Sequence, residues 1–177
     1  MVTGDLGYVG PYLILQLRHS CLSTVFVGID LGFFALCLIG IRIFPEQKCF
    51  SQICKDVRDV DRTDFEGFDA EVHLAAVSNE LKGNIFERLT DKINCQPCAK
   101  IHGLAKIEGM RNYAFSSSCS LYDKATEFAR KEEGSLYPLT ASAKSKINTG
   151  LGLKVLNTND SLVTCHWFHT ACSFLSS

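Results

Sequence analysis

The chain opens Met1-Val-Thr-Gly-Asp-Leu-Gly-Tyr-Val-Gly10, and these ten residues organise the reading of everything that follows. A β-branched pair, Val2 and Thr3, runs into glycines at 4, 7 and 10, and an apolar helical run, Pro11–Ser20, comes next. That is the layout of a strand, a tight turn and a helix opening. In such a turn the first glycine permits the bend, the second lets backbone approach a pyrophosphate, and the third lets helix and strand pack closely. An anion seated there meets free N–H groups at the positive end of the helix dipole. Gly4, Gly7 and Gly10, with Tyr8 and Val9 between them, are therefore candidate cofactor-binding residues.

Three glycines alone are a weak signal. A second feature strengthens them: Asp30 ends the apolar run Thr24-Val-Phe-Val-Gly-Ile29, twenty residues beyond Gly10. An acidic residue at the tip of a second strand accepts hydrogen bonds from a ribose 2′-OH and repels a 2′-phosphate. The pair of signals predicts a dinucleotide site with NAD favoured over NADP.

Composition agrees with a compact α/β domain. The 177 residues fit one domain, and 46% hydrophobic content supports a sizeable core. A net charge of −1 gives no electrostatic reason to expect nucleic acid or an anionic membrane surface as partner. Nine cysteines are many and odd in number, but no secretory leader pattern opens the chain. Reduced, mostly buried thiols in the cytoplasm are the simpler expectation. The segment Leu22–Phe44 is largely apolar, yet its longest uncharged piece, Leu31–Ile41, is eleven residues against the roughly 20 a membrane span needs.

Further along, strand and helix patterns alternate. Strands are predicted at Val25–Ile29, Gln52–Lys55, Ala70–Ala76, Arg111–Ser116 and Ser161–Phe168, with an irregular excursion over 31–51. Helices are predicted over Pro11–Ser20, Asn84–Ile107 with a break near Pro97, and Leu139–Leu156. Such alternation implies parallel strands with crossover helices, a Rossmann-like doubly wound sheet. Ligands bind such sheets at the carboxyl ends of the strands, which directs attention to Asp30, Asp56, the Ala75–Ser78 corner and Ser116–Ser120.

The residues at those ends resemble the extended short-chain dehydrogenase/reductases, in particular the NAD-dependent epimerases and dehydratases of nucleotide sugars. Thr3–Gly10 resembles that family's TGxxGYxG turn, and Lys55-Asp-Val-Arg-Asp59 its adenine-holding segment, which implies roles for Asp56 and Val57. Val72-His-Leu-Ala-Ala76 resembles the fourth-strand motif beside the cofactor, which adds Leu74, Ala75 and Ala76, and Asn94 fits the asparagine of the following helix. Ser116-Ser-Ser-Cys-Ser-Leu-Tyr122 resembles the fifth-strand serine segment and makes Ser118 the match to the active-site Ser/Thr. Ser135-Leu-Tyr-Pro-Leu-Thr-Ala-Ser-Ala-Lys-Ser-Lys146 resembles the YxxxK helix. The resemblance implies NAD as cofactor, a nucleotide sugar as substrate, and pairing of two copies through the helices near 84–108 and 139–156.

The departures bear on activity. Family chemistry needs a tyrosine four residues before a lysine, both on one helical face. Anchoring on Tyr137 puts Ala141 at the lysine position, and anchoring on Lys146 puts Ser142 at the tyrosine position. The two registers stay open, with local context favouring Tyr137 as base and Lys144 or Lys146 on the nicotinamide ribose. A serine hydroxyl is a far weaker acid than a phenol of pKa about 10, so in either register the pair is broken. Asp5 stands where the family has a small residue, which predicts a negative charge near the pyrophosphate. The chain ends at Ser177, and the family's C-terminal substrate lobe is expected to be missing, making 1–177 a single, truncated NAD(P)-binding domain. Two functions compete: a nucleotide-sugar epimerase or dehydratase transferring hydride through NAD, or a catalytically inactive NAD-binding fragment or partner subunit.

Other features read more plainly. Cys95-Gln-Pro-Cys98 with His102 lacks the further ligands of a zinc site, and no metal is expected. His73 reads as a packed, hydrogen-bonded core residue. Phe33 and Phe34 read as core or lobe-packing residues.

Overall fold

The computed structural model describes residues 1–34, 50–77, 84–118, 121, 138, 140–156 and 164–170. Six strands form one parallel sheet: β1 (Val2–Thr3), β2 (Val27–Ile29), β3 (Ser51–Ile53), β4 (Ala70–His73), β5 (Asn112–Ser118) and β6 (Thr164–Thr170), ordered β3-β2-β1-β4-β5-β6. Among the described residues three α-helices accompany them: α1 (Gly10–Ser20), α2 (Asn84–Ile107) and α3 (Ala141–Leu156). This is the Rossmann-like doubly wound order.

The chain moves outward from β1 to β3, then returns past β1 and moves the other way from β4 to β6. Because parallel crossovers are right-handed, that reversal sends α1 to one face and α2 and α3 to the other. It also opens a crevice between β1 and β4, where the strand order changes direction.

β1 is only two residues long, yet it is one of the two central strands. Val2 and Thr3 pair with Gly28 and Ile29 on one side and with Val72 and His73 on the other. Both residues are buried. The core under α2 and α3 joins Met1, Ile29, Val60, Phe65, Cys98, Ile101, Ala105, Met110, Tyr113, Phe115 and Leu153.

α2 runs through Pro97 without a break, against the expectation from sequence. Proline in a helix interior costs about 3 kcal/mol through the lost bond and ring clash. Here Thr90, Asn94, Pro97, Cys98, Ile101, His102 and Ala105 form one buried stripe at helical spacing. Continuous burial of that stripe outweighs one missing hydrogen bond. Strand limits also shift: β4 stops at His73, three residues before the predicted Ala76, because Leu74 and Ala75 turn their amides to the Thr3 carbonyl (2.9 and 3.0 Å). α3 begins at Ala141 and not Leu139. Phe33 and Phe34 are 78% and 53% exposed, so neither is a core residue.

Candidate functional site

The glycine turn sits in the crevice between β1 and β4, packed against backbone on two sides. Gly4 has φ +79°, a conformation natural only to glycine, and a Cβ there would lie 2.5 Å from the Ala75 amide nitrogen. A Cβ on Gly10 would lie 2.1 Å from the Asp5 carbonyl oxygen, so the start of α1 rests directly on the turn. Gly7 closes the bend by donating its amide to the Gly4 carbonyl at 3.2 Å. At the head of α1, Val9 supplies no side-chain cap, Pro11 occupies the first turn, and no acidic residue lies in that turn. The leading amides of α1 are thus left for an anion. Tyr8 and Val9 are exposed at the rim.

Asp5, expected from the sequence to bring a negative charge near the pyrophosphate, instead directs its side chain across the sheet. Its side chain is fully buried and accepts a hydrogen bond from Gln52 Nε2 of β3 at 3.0 Å. It crosses β2 above Gly28, where a Cβ would lie 2.3 Å from Asp5 Oδ2.

At the tips of β2 and β3, Asp30 donates its amide to Ile53 O (3.2 Å), and its Oδ1 accepts from the Gly32 amide at 2.6 Å. Asp56 is held by Arg58, whose amide and Nε both donate to Oδ1 (2.8 and 2.9 Å). The Arg58 guanidinium keeps the Asp56 carboxyl below its usual range. Val57 is partly buried against the core.

On the other side of the crevice, Asn94 of α2 binds three groups. Its Oδ1 accepts from the Val77 amide (2.8 Å), while its Nδ2 donates to Val77 O and to Ser145 Oγ of α3 (3.1 Å each). Asn94 thereby fastens the segment after β4, with Leu74, Ala75 and Ala76, to both helices.

Lys146 points inward from α3. Its Nζ donates to Ser116 O of β5 at 2.6 Å and lies 4.7 Å from the Phe115 ring centroid. Burial pushes its pKa down to about 8. Lys144, two residues earlier, is exposed. Of the two lysines, then, only Lys146 reaches the strand ends. Ser142, one helical turn before it, is half-buried, and Ser118 closes β5. Tyr137 lies outside the described residues.

His73 is buried and shares a 2.7 Å hydrogen bond between Nδ1 and Thr3 Oγ1. Burial, with the Lys146 charge adding, lowers its pKa to about 3, so the ring is neutral. Cys95 and Cys98 lie mid-helix in α2, and among the described residues no cluster could hold a metal ion. Three residues escaped the sequence reading. Ser145 and Gln52 carried no signal, since their roles depend on what packs opposite. Glu71 did carry one: it is a carboxylate between Ala70 and Val72 in a strand read as core, fully buried, and burial pushes it up to about 7.

No protein-family model and no curated protein matches the sequence. Solved structures do match the fold. An NAD-dependent NDP-hexosamine 5,6-dehydratase, TunA, of tunicamycin biosynthesis superposes with TM-score 0.79 at 18% identity, over 95% of this chain and 52% of that one. A UDP-glucuronic acid 4-epimerase from Bacillus cereus in complex with NAD gives 0.76 at 18%, over 95% and 55%. A UDP-N-acetylglucosamine 4-epimerase from Methanobrevibacter ruminantium in complex with UDP-N-acetylmuramic acid gives 0.74 at 21%, over 95% and 53%. The chain spans about half the length of these structures, and the likeness establishes a shared Rossmann-like fold.

Proposed function

We propose that the chain is an NAD-binding domain on the plan of the nucleotide-sugar epimerases and dehydratases, single over 1–177. The observation that carries this reading is the cradle at the switch point, where added Cβ atoms on Gly4 and Gly10 would strike Ala75 and Asp5 backbone. In this reading the amides at the start of α1 hold the pyrophosphate, and Asp30 accepts from a ribose hydroxyl. Asp56 and Val57 flank the adenine, while Leu74, Ala75 and Ala76 line the path toward the nicotinamide. When bound, NAD supplies the hydride acceptor.

Lys146, already directed to the Ser116 carbonyl, reaches the nicotinamide ribose in this arrangement. Ser118 orients the sugar of a nucleotide-sugar substrate, and Tyr137 is the candidate for its proton. A second reading, NAD binding without turnover, is favoured by one observation: the inward lysine is Lys146, and the residue one turn before it is Ser142. Its hydroxyl is too weak an acid to serve as the family's base near neutral pH. Pairing of two copies through α2 and α3 belongs to the same reading and is supported by exposed Leu89, Leu151 and Val155 on those helices.

Calorimetric titration of the full chain with NAD tests the proposal. Saturable binding that weakens in Asp30→Ala supports it, and a folded chain that binds no NAD overturns it. Hydride exchange between NAD and a UDP-sugar then separates the two readings.

Among the described residues, no helix is long and apolar enough to cross a membrane.

A further inference from the structure

Asp5 lies within the glycine turn, and its Oδ1 accepts from a side chain two strands away. It reaches sideways across the sheet. From the end of β1 the side chain passes over β2 at Gly28 and receives the Gln52 amide of β3 at 3.0 Å. The two side chains share the space that a Cβ on Gly28 would need: it would lie 2.3 Å from Asp5 Oδ2 and 2.5 Å from Gln52 Oε1. The Asp5 backbone is pinned as well, since Gly10 leaves no room above its carbonyl. A buried carboxylate is costly unless hydrogen-bonded, so this contact resists being opened.

We propose that Asp5 is a positioning residue for the dinucleotide: by spanning β2 over Gly28 to Gln52, it ties the phosphate turn to the second and third strands and fixes the height of the turn's amides. The inference rests on the NAD-binding reading above. It inverts the effect expected of a carboxylate in this turn. Simple repulsion makes Asp5 harmful to dinucleotide binding, whereas the tie makes it necessary.

The experiment measures NAD affinity by calorimetry, and thermal midpoint in parallel, for the full chain and its Asp5→Ala, Asp5→Asn and Gln52→Met variants. Loss of the tie in Asp5→Ala or Gln52→Met is expected to weaken NAD binding about ten- to hundredfold. Asp5→Asn keeps an oxygen that can accept from Gln52, and is expected to recover most of the affinity. That rescue is a response general destabilisation does not give. Tighter NAD binding in Asp5→Asn than in the parent overturns the proposal in favour of repulsion. Unchanged affinity in folded Gln52→Met overturns it also, and holds even if Asp5→Ala fails to fold. A folded parent that binds no NAD sinks the underlying reading itself, a different result from unchanged affinity in the variants.

Discussion

The two sides of the crevice differ in kind. On the β1–α1 side the close contacts at Gly4 and Gly10 are with backbone, and the sequence supplies what that geometry needs: glycine at both positions, and proline in the first turn of α1. On the α3 side the contacts run through side chains. Lys146 reaches the Ser116 carbonyl, but the position one turn before it holds Ser142. In the proposed reading, cofactor binding and proton transfer are separable demands on one fold. A backbone cradle tolerates much sequence change outside its glycines, whereas a proton-transfer pair is lost with one side chain.

The largest expected effect is on the weaker side. Restoring a phenol with Ser142→Tyr is expected to raise hydride exchange between NAD and a UDP-sugar by about 10²–10⁴-fold over the parent. No rise would place the block elsewhere than at residue 142. On the stronger side, Gly10→Ala forces a methyl group onto the Asp5 carbonyl and is expected to abolish NAD binding while costing about 1–3 kcal/mol of stability. Calorimetry with a parallel urea melt reads both.

Asn94 joins the two sides. Asn94→Ala leaves the buried Ser145 hydroxyl and the Val77 amide short of a partner, for a stability loss of about 1–3 kcal/mol by denaturant titration. If the melt is unchanged, the fastening is dispensable.

Glu71 and His73 lie on β4 between the two sides and respond to pH with opposite sign. The folded Glu71 carboxyl titrates at about 7 against 4.5 for the free group. Its contribution is therefore fully present below 4.5 and lost as pH rises through 7. His73 falls from 6.5 to about 3, so its contribution is present above 6.5 and lost as pH falls toward 3. Glu71→Gln is expected to remove the first slope and leave the second, so that the thermal midpoint climbs from pH 4 to 6.5. A variant midpoint that still falls between pH 5 and 7 contradicts the assignment.

The smallest effect is a gain. A Cβ on Gly152 of α3 meets nothing within 4 Å among the described residues. Gly152→Ala is expected to stabilise by about 0.5–1 kcal/mol, read as a rise in thermal midpoint.

Much of this was legible in the chain itself. The glycine spacing, Asp30 at the end of an apolar run and the alternation of patterns fix a doubly wound sheet, because turn chemistry and periodicity are local properties. The turn over Gly4–Gly10 was legible for the same reason. What only the tertiary structure decided depends on which residues meet across the sheet. Pro97 reads as a helix break locally and is overruled by a buried stripe. Asp5 reads as a charge at the phosphate and is turned away because Gly28 leaves room beside Gln52, forty-seven residues distant along the chain. Sequence does not distinguish Lys144 from Lys146, whereas the packing of α3 on β5 buries the Lys146 ammonium and leaves Lys144 exposed.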